Sequence, residues 1–306
     1  MTVTVTLAQV LNPYSMFHRP MRYDFRFVKY HGCGNDFIIK DEIKGRRTPD
    51  GDRSKLAKLL TDRHFWVGAD GVLFIERARG YDGSMRLFEP AGNEADMCGN
   101  GLRCVASYLM EKLGKDEVDV LTRDGGKHVV KVRNNYKVDM GLVRINRADL
   151  SEYVADTGSR DDSMLSFPLT IDGKRIKASI VNTGEPHIVV RVPDINSVDM
   201  VKLGEEVNRN RKRFPKYVNF NCIQVTGPRD ISVRTYERGV FGETLACGTG
   251  ATACGGVSLL LRFTKPDIVN VRTSGGRLKI EMGKDGRAFM TGPAVRVFDG
   301  RLVVEL

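Results

Sequence analysis

The chain has 306 residues, 41% hydrophobic and 28% charged, a balance that leaves enough apolar side chains for two globular cores of ordinary size. The formal net charge of +10 implies a basic surface that attracts anions. However, Lys and Arg are scattered apart from the run 208–216 (NRNRKRFPK), which reads as a solvated loop or helix face because no aromatic platform accompanies it. No stretch reaches the roughly 18 apolar residues that span a bilayer, so neither nucleic acid nor a membrane is an expected partner.

Residues 1–24 read as an N-terminal extension. Alternating Thr and Val give way to Asn12-Pro13 and Arg19-Pro20, and neither a basic leader region nor a small-residue cleavage site is evident. From Phe25 the pattern is regular. FRFVKY reads as a strand, HGCGNDF as a glycine-rich turn, FIIKDE as a second strand, 53–63 as a short helix, and GVLFIER and SMRLFE as strands. AGNEADMCGNG reads as a loop. After it Leu102, Val105, Ala106, Leu109, Met110 and Leu113 recur on one helical face that Gly114 stops. VDVLTR, KHVVKVR and YKVDMGL follow as strands.

The second half repeats this order: strands around LTIDG and RIKASIVN, a turn at TGEPH, then strands IVVRV, VNFNCIQV and ISVRTYER. Another glycine-rich loop, LACGTG, opens a helix with Ala253, Val257, Leu260 and Leu261 on one face. The strands IVNVRT, RLKIEM, AFMTG, AVRVF and LVVEL finish the chain. The anchors of this duplication are Cys98-Gly-Asn-Gly and Cys247-Gly-Thr-Gly. The pattern predicts an α+β fold of two pseudo-symmetric domains, each a curved or closed, mostly antiparallel sheet around a central helix.

Six cysteines stand at 33, 98, 104, 222, 247 and 254 without a CxxC pair, so no metal site and no disulfide framework is expected, and the chain reads as cytoplasmic with free thiols. A cysteine followed by Gly-x-Gly at a helix start sits where unpaired N–H groups and the helix dipole favour a thiolate. The glycines let backbone amides approach a carboxylate. Two such loops facing one cleft would place a sulfur on each side of an α-carbon, one to remove a proton and one to return it. Cys33, Cys104, Cys222 and Cys254 read as packing residues, and His31 and His64 as structural.

The motifs HGCGNDF (31–37), DRHFWVGADG (62–71), EADMCGNGLRC (94–104), PH (186–187), VNF (218–220), YERG (236–239) and ETLACGTGA (243–251) resemble the diaminopimelate epimerases, within the pyridoxal-phosphate-independent amino-acid racemases. Asn100 favours this branch over the proline racemases, which carry histidine there. The resemblance implies no cofactor, an amino-acid substrate, a possible homodimer, a role in lysine biosynthesis and an active site in the cleft between the domains. It implies a first domain of 25–145 plus 294–306 and a second of 146–293. It makes Cys98 and Cys247 the acid/base thiols, with His187 and Glu237 as their polar neighbours. Gly99, Asn100, Gly248 and Thr249 would hold the reacting carboxylate, and Asn35, Asn219, Glu237 and Arg238 the distal end of the substrate. Three positions depart from the family pattern. Glu89 and Glu185 stand near the distal end where many relatives have asparagine, and Gly71 where some have glutamine; one extra residue lies near Phe241. The two glutamates would suit a cationic group. The alternatives are therefore a racemase of another, cationic amino acid or, in a different class, a thiol redox-regulated binding protein. A dinucleotide-binding reading lacks a G-x-G-x-x-G loop.

Overall fold

The computed structural model describes residues 4–5, 21–45, 47–155 and 162–306; most of the expected 1–24 extension lies outside the described residues. In chain order the elements are β1 (Thr4–Val5), β2 (Arg22–Gly32), β3 (Asn35–Asp41), α1 (Asp50–Leu60), β4 (Gly71–Glu76), β5 (Gly83–Phe88), β6 (Glu94–Ala95), α2 (Gly99–Leu113) and β7 (Glu117–Thr122). Then come β8 (Gly125–Val132), β9 (Asn135–Leu142), α3 (Arg147–Leu150), β10 (Phe167–Ile171), β11 (Lys174–Asn182), β12 (Pro186–Arg191) and α4 (Met200–Arg209). The chain ends with β13 (Asn219–Gly227), β14 (Asp230–Glu237), β15 (Gly242–Thr244), α5 (Gly248–Leu260), β16 (Ile268–Thr273), β17 (Gly276–Met282), β18 (Arg287–Gly292) and β19 (Val295–Glu305). Among the described residues no helix is long and apolar enough to cross a membrane.

Contacts divide the chain into two units. The first holds the described residues up to Gly32, then 36–126 and 294–306; the second holds Cys33–Asn35 and 127–293. In the first, β3 pairs parallel with β4 across the α1 crossover, and β4 pairs antiparallel with β5. β5 then carries β6 antiparallel and β7 parallel. The second unit repeats this order of pairings. β12 pairs parallel with β13 across α4, β13 antiparallel with β14, and β14 carries β15 antiparallel and β16 parallel. The duplication read from the cysteine loops therefore extends through a whole βαβ-containing sheet in each unit.

Each unit has its own core. Phe25 and Phe27 project from the same face of β2, as the two-residue strand period requires; they pack with Ile38, Leu56, Leu60, Val72, Phe74 and Val304. In the second unit Phe167, Ile180, Val190, Phe214, Phe220 and Tyr236 fill the corresponding space. Helix α2 buries Leu102, Val105, Ala106, Leu109 and Met110 of the predicted face, whereas Leu113, expected on that face too, is exposed at the helix end. It ends at Gly114, whose left-handed φ of 65° closes the cap onto Met110.

Several boundaries differ from the sequence expectation. Arg22, Tyr23 and Asp24 belong to β2 rather than to the extension, because they pair with Glu305, Val304 and Val303. β19 is one strand with an irregularity between Arg296 and Phe298, where two short strands were expected. Helix α1 begins at Asp50 rather than 53: Pro49 fixes its entry, and Asp50 and Asp52 favour the positive end of its dipole. The division between units falls at 126/127, ahead of the 145/146 boundary implied by the resemblance, because β9 pairs along β18. Helix α4 was not foreseen. Asp199 caps it by accepting from Lys202 N, but Gly204 interrupts its pattern. That glycine is needed, since a Cβ there would lie 2.2 Å from the Tyr236 ring.

Candidate active site

Cys98 is the N-cap of α2 and Cys247 the N-cap of α5; both have extended backbone, with φ of −140° and −111°. Cys98 Sγ accepts from Gly101 N at 3.5 Å, and Cys247 Sγ from Gly250 N at 3.4 Å. Sulfur thus takes the place that a serine or aspartate oxygen fills in an ordinary cap. A thiolate is the better acceptor there, and the dipole favours it further. Cys98 is half-buried and Cys247 is buried. Close packing favours glycine at 250, where a Cβ would come within 2.9 Å of Asn221 Oδ1, whereas a Cβ on Gly101 would meet its neighbours no closer than 3.4 Å.

A chain of polar groups runs from Cys247 through the second unit. Its Sγ lies 3.3 Å from the Thr249 hydroxyl, which lies 3.0 Å from His187 Nε2. The parallel register of β12 and β13 sets His187 opposite Asn219, and Asn221 follows on the same face. Asn221 Nδ2 donates to the carbonyl of Ile188 at 2.9 Å and lies 3.2 Å from His187 Nδ1, while its Oδ1 accepts from Thr235. The carbonyl can only accept, so Nδ2 faces Nδ1 and makes Nδ1 the acceptor of the ring. Nε2–H then donates to Thr249, whose hydroxyl hydrogen is left for the sulfur. His187 is wholly buried, and burial, aided by the positive charge of Arg238, pushes its pKa down to about 3. The imidazole is therefore neutral.

The second unit also gathers the residues assigned to the distal end. Asn219 Oδ1 accepts from Arg238 N at 2.9 Å, and Asn219 Nδ2 lies 3.5 Å from His187 Nε2. Arg238 Nη2 pairs with Glu185 Oε2 at 2.5 Å, and Arg238 Nη1 donates to the carbonyl of Lys216 at 3.2 Å. Glu237 Oε1 accepts from the hydroxyl of Thr244 at 2.5 Å. Asn35 opens β3 and is grouped by contacts with the second unit.

In the first unit Gly99 and Asn100 form the opening turn of α2. Asn100 Oδ1 accepts from Arg103 Nη2 at 2.8 Å, and Arg103 Nη1 donates to Gly99 O at 3.3 Å. Glu89 accepts from Asn93 Nδ2. A Cβ on Gly71 would lie 2.7 Å from Leu87 Cδ1 and 3.1 Å from the Phe88 carbonyl oxygen, so a longer side chain there would have to displace Leu87. Cys33, Cys104, Cys222 and Cys254 are buried, and burial raises the Cys222 thiol to about 12. Among the described residues no group of three His, Cys, Asp or Glu gathers as a metal site requires.

Sequence reading missed Asn221, Thr235 and Arg103. Asn221 was open to detection, since it stands two residues from Asn219 on a predicted strand and so shares its face. Arg103 is fully buried, and its place inside an apolar helical pattern gives no sign of that.

The profile of the family described as diaminopimelate epimerase matches residues 27–146 and 179–297. The chain is 38% identical to the diaminopimelate epimerase of Methanocella arvoryzae over 92% of this chain and 97% of that protein. It is also 38% identical to that of Archaeoglobus fulgidus over 90% and 95%. Among solved structures, a hydroxyproline epimerase from Agrobacterium vitis superposes with a TM-score of 0.65 at 14% identity, covering 92% of this chain and 91% of that one. A phenazine biosynthesis protein of the PhzF family from Bacillus anthracis does so at 0.64 and 15%, covering 93% and 99%. At these identities the structural likenesses speak to the fold.

Proposed function

The chain belongs to the diaminopimelate epimerase family, and we propose that it interconverts LL- and meso-2,6-diaminopimelate in lysine biosynthesis by passing the α-proton between two thiols, Cys98 and Cys247. The observation that supports this reading is the recurrence, once in each unit, of a cysteine that caps a helix and accepts from the glycine amide three residues on.

An α-hydrogen beside a carboxylate is a very weak acid, so the negative charge developing on the carboxylate must be met by fixed donors. The first-turn amides of α2 and α5, at Gly99, Asn100, Gly248 and Thr249, stand at helix N-termini whose dipoles favour negative charge and suit that task. One thiolate takes the proton and the opposite thiol delivers one; the roles exchange in the reverse direction. Cys247 as thiolate accepts from the Thr249 hydroxyl, which neutral His187 and Asn221 hold in place. With its pKa pushed down to about 3 by burial, the imidazole is too weak a base to compete for the moving proton. At the distal end Arg238 addresses the carboxylate of diaminopimelate and Glu185 its ammonium, so the pair that now bridges at 2.5 Å would each gain a substrate partner.

The test is α-hydrogen exchange in deuterated water over a panel of amino acids. Diaminopimelate should exceed lysine by at least about 10³ in kcat/KM, because lysine leaves Arg238 without its carboxylate. Arg238→Met should shrink that preference. Cys98→Ala and Cys247→Ala should each lose at least roughly 10²-fold. Equal or faster exchange of lysine, ornithine or arginine would overturn the substrate assignment, and near-normal turnover by either alanine variant would overturn the two-thiol mechanism.

A further inference from the structure

The stretches leading into the two cysteine loops share a pattern, Ser-x-Arg-x-aromatic-Glu, at 84–89 and 232–237. In β5, Arg86 Nε and Nη2 donate to the two carboxylate oxygens of Glu94 in β6 at 2.6 and 2.7 Å. In β14, Arg234 Nε and Nη2 donate to those of Glu243 in β15, both at 2.6 Å. The side chains are 18% and 15% exposed in the first pair and 24% and 26% in the second, shielded enough to differ from the freely solvated pairs that contribute little. Each glutamate stands four residues before its cysteine.

Both forks have a third anchor in the same part of the topology. Arg86 Nη1 donates to Asp50 Oδ1, at the first residue of α1, at 2.7 Å. Arg234 Nη1 donates to the carbonyls of Ile195 and Val198, just ahead of α4, at 3.0 and 2.8 Å. The anchoring chemistry differs, a carboxylate in one unit and carbonyls in the other, but the place does not.

Loop length also differs while the fork stays constant. Arg and Glu are eight residues apart in the first unit and nine in the second. The extra residue converts the turn Glu89–Gly92 into a wider one, in which Phe241 N reaches Glu237 O at 2.8 Å and Phe241 takes a left-handed φ of 53°. That conformation is costly for a bulky residue. The second unit accepts it and keeps a bidentate geometry matching that of the first.

We propose that Arg86–Glu94 and Arg234–Glu243 are paired positioning residues, each fixing the thiol of its own unit at its helix N-terminus for proton transfer. The inference rests on the reading of Cys98 and Cys247 as the reacting thiols. The sulfur–amide contacts of 3.5 and 3.4 Å are weak restraints on a loop, whereas a bidentate guanidinium–carboxylate pair fixes both distance and direction. A displacement of about 1 Å in a reacting group costs up to ~10² in rate.

The test uses Glu94→Gln and Arg86→Lys in one unit and Glu243→Gln and Arg234→Lys in the other. Three readouts are taken: steady-state turnover of diaminopimelate, thermal unfolding, and iodoacetamide alkylation of each cysteine as a function of pH, resolved by peptide mapping. The variants of the first unit should move the alkylation limb of Cys98 to higher pH and leave that of Cys247 in place; those of the second unit should do the reverse. kcat should fall at least about tenfold with KM within about threefold, and the lysine variants, which keep charge without the fork, should behave like the glutamine ones. Unchanged limbs and turnover would overturn the proposal. So would lysine variants that match the parent, or limbs of both cysteines shifting together with a lost melting temperature, which would mean a general scaffold role. A parent protein that shows the predicted alkylation pattern but turns over no diaminopimelate would sink the substrate reading and leave the positioning role standing.

Discussion

At His187 burial decides what a histidine can do. The family resemblance marked it as a polar neighbour of a thiol, but a resemblance cannot reveal the charge state. The structure sets the ring between Asn221 and Thr249 with no access to water and depresses its pKa to about 3. In the unfolded chain the same group titrates near ~6.5. Above ~6.5 both states are neutral and the group has no effect. As pH falls toward 3 the unfolded chain binds a proton that the folded chain refuses, so stability falls with pH by up to ~1.4 kcal/mol per unit. His187→Gln should therefore resist acid better than the parent. The loss of unfolding free energy between pH 7 and pH 5, measured by urea titration, should be smaller by about 2 kcal/mol in the variant. An equal loss in both proteins would mean that the ring takes up a proton when folded.

Among the elements, long periodic ones were legible and short ones were not. The apolar spacing of α2 and its Gly114 stop were open to inspection, because burial on one helical face writes itself into the sequence. β6 and β15 have two and three residues, too few to show any period, and α4 hides behind Gly204. The turn between β16 and β17 is another case in which packing alone reveals a requirement. A Cβ on Gly275 would stand 1.9 Å from the carbonyl oxygen of Cys33, and Gly275 N donates to Leu245 O at 2.7 Å, two residues before Cys247. Gly275→Ala should lower stability by about 1–3 kcal/mol, the range for forced overpacking, and lower kcat because the strain reaches the cysteine loop. Gly51, in α1, has nothing within 4 Å of where its Cβ would be, so Gly51→Ala should be neutral or stabilise by up to ~1 kcal/mol. Calorimetry on the two variants checks both statements; a neutral Gly275→Ala would show that the turn yields freely.

For the whole molecule, the duplication was legible because the same chemistry is written twice, at 98–101 and 247–250. Pairing between distant segments was not. β9 joins β18 across about half the chain, and no local pattern specifies a partner so far away; the return of the last residues to the first unit, where β19 pairs with β2, was expected from the family resemblance alone. The first unit is thus completed by the last residues of the chain, and each unit contributes one capping cysteine. A reaction that needs one thiol from each unit leaves an isotopic record. If LL-diaminopimelate is converted in deuterated water, the delivering thiol has already exchanged with solvent and places deuterium on the opposite face of the α-carbon. The abstracted protium sits on the other sulfur, where it can only return to the face it left. In initial-rate samples the meso product should carry solvent deuterium at the inverted carbon, while recovered LL substrate stays largely protiated. A single base serving both faces would instead carry substrate protium into the product. Mass spectrometry of the two separated isomers distinguishes the outcomes, and protium retained at the inverted carbon would rule out a division of the proton transfer between Cys98 and Cys247.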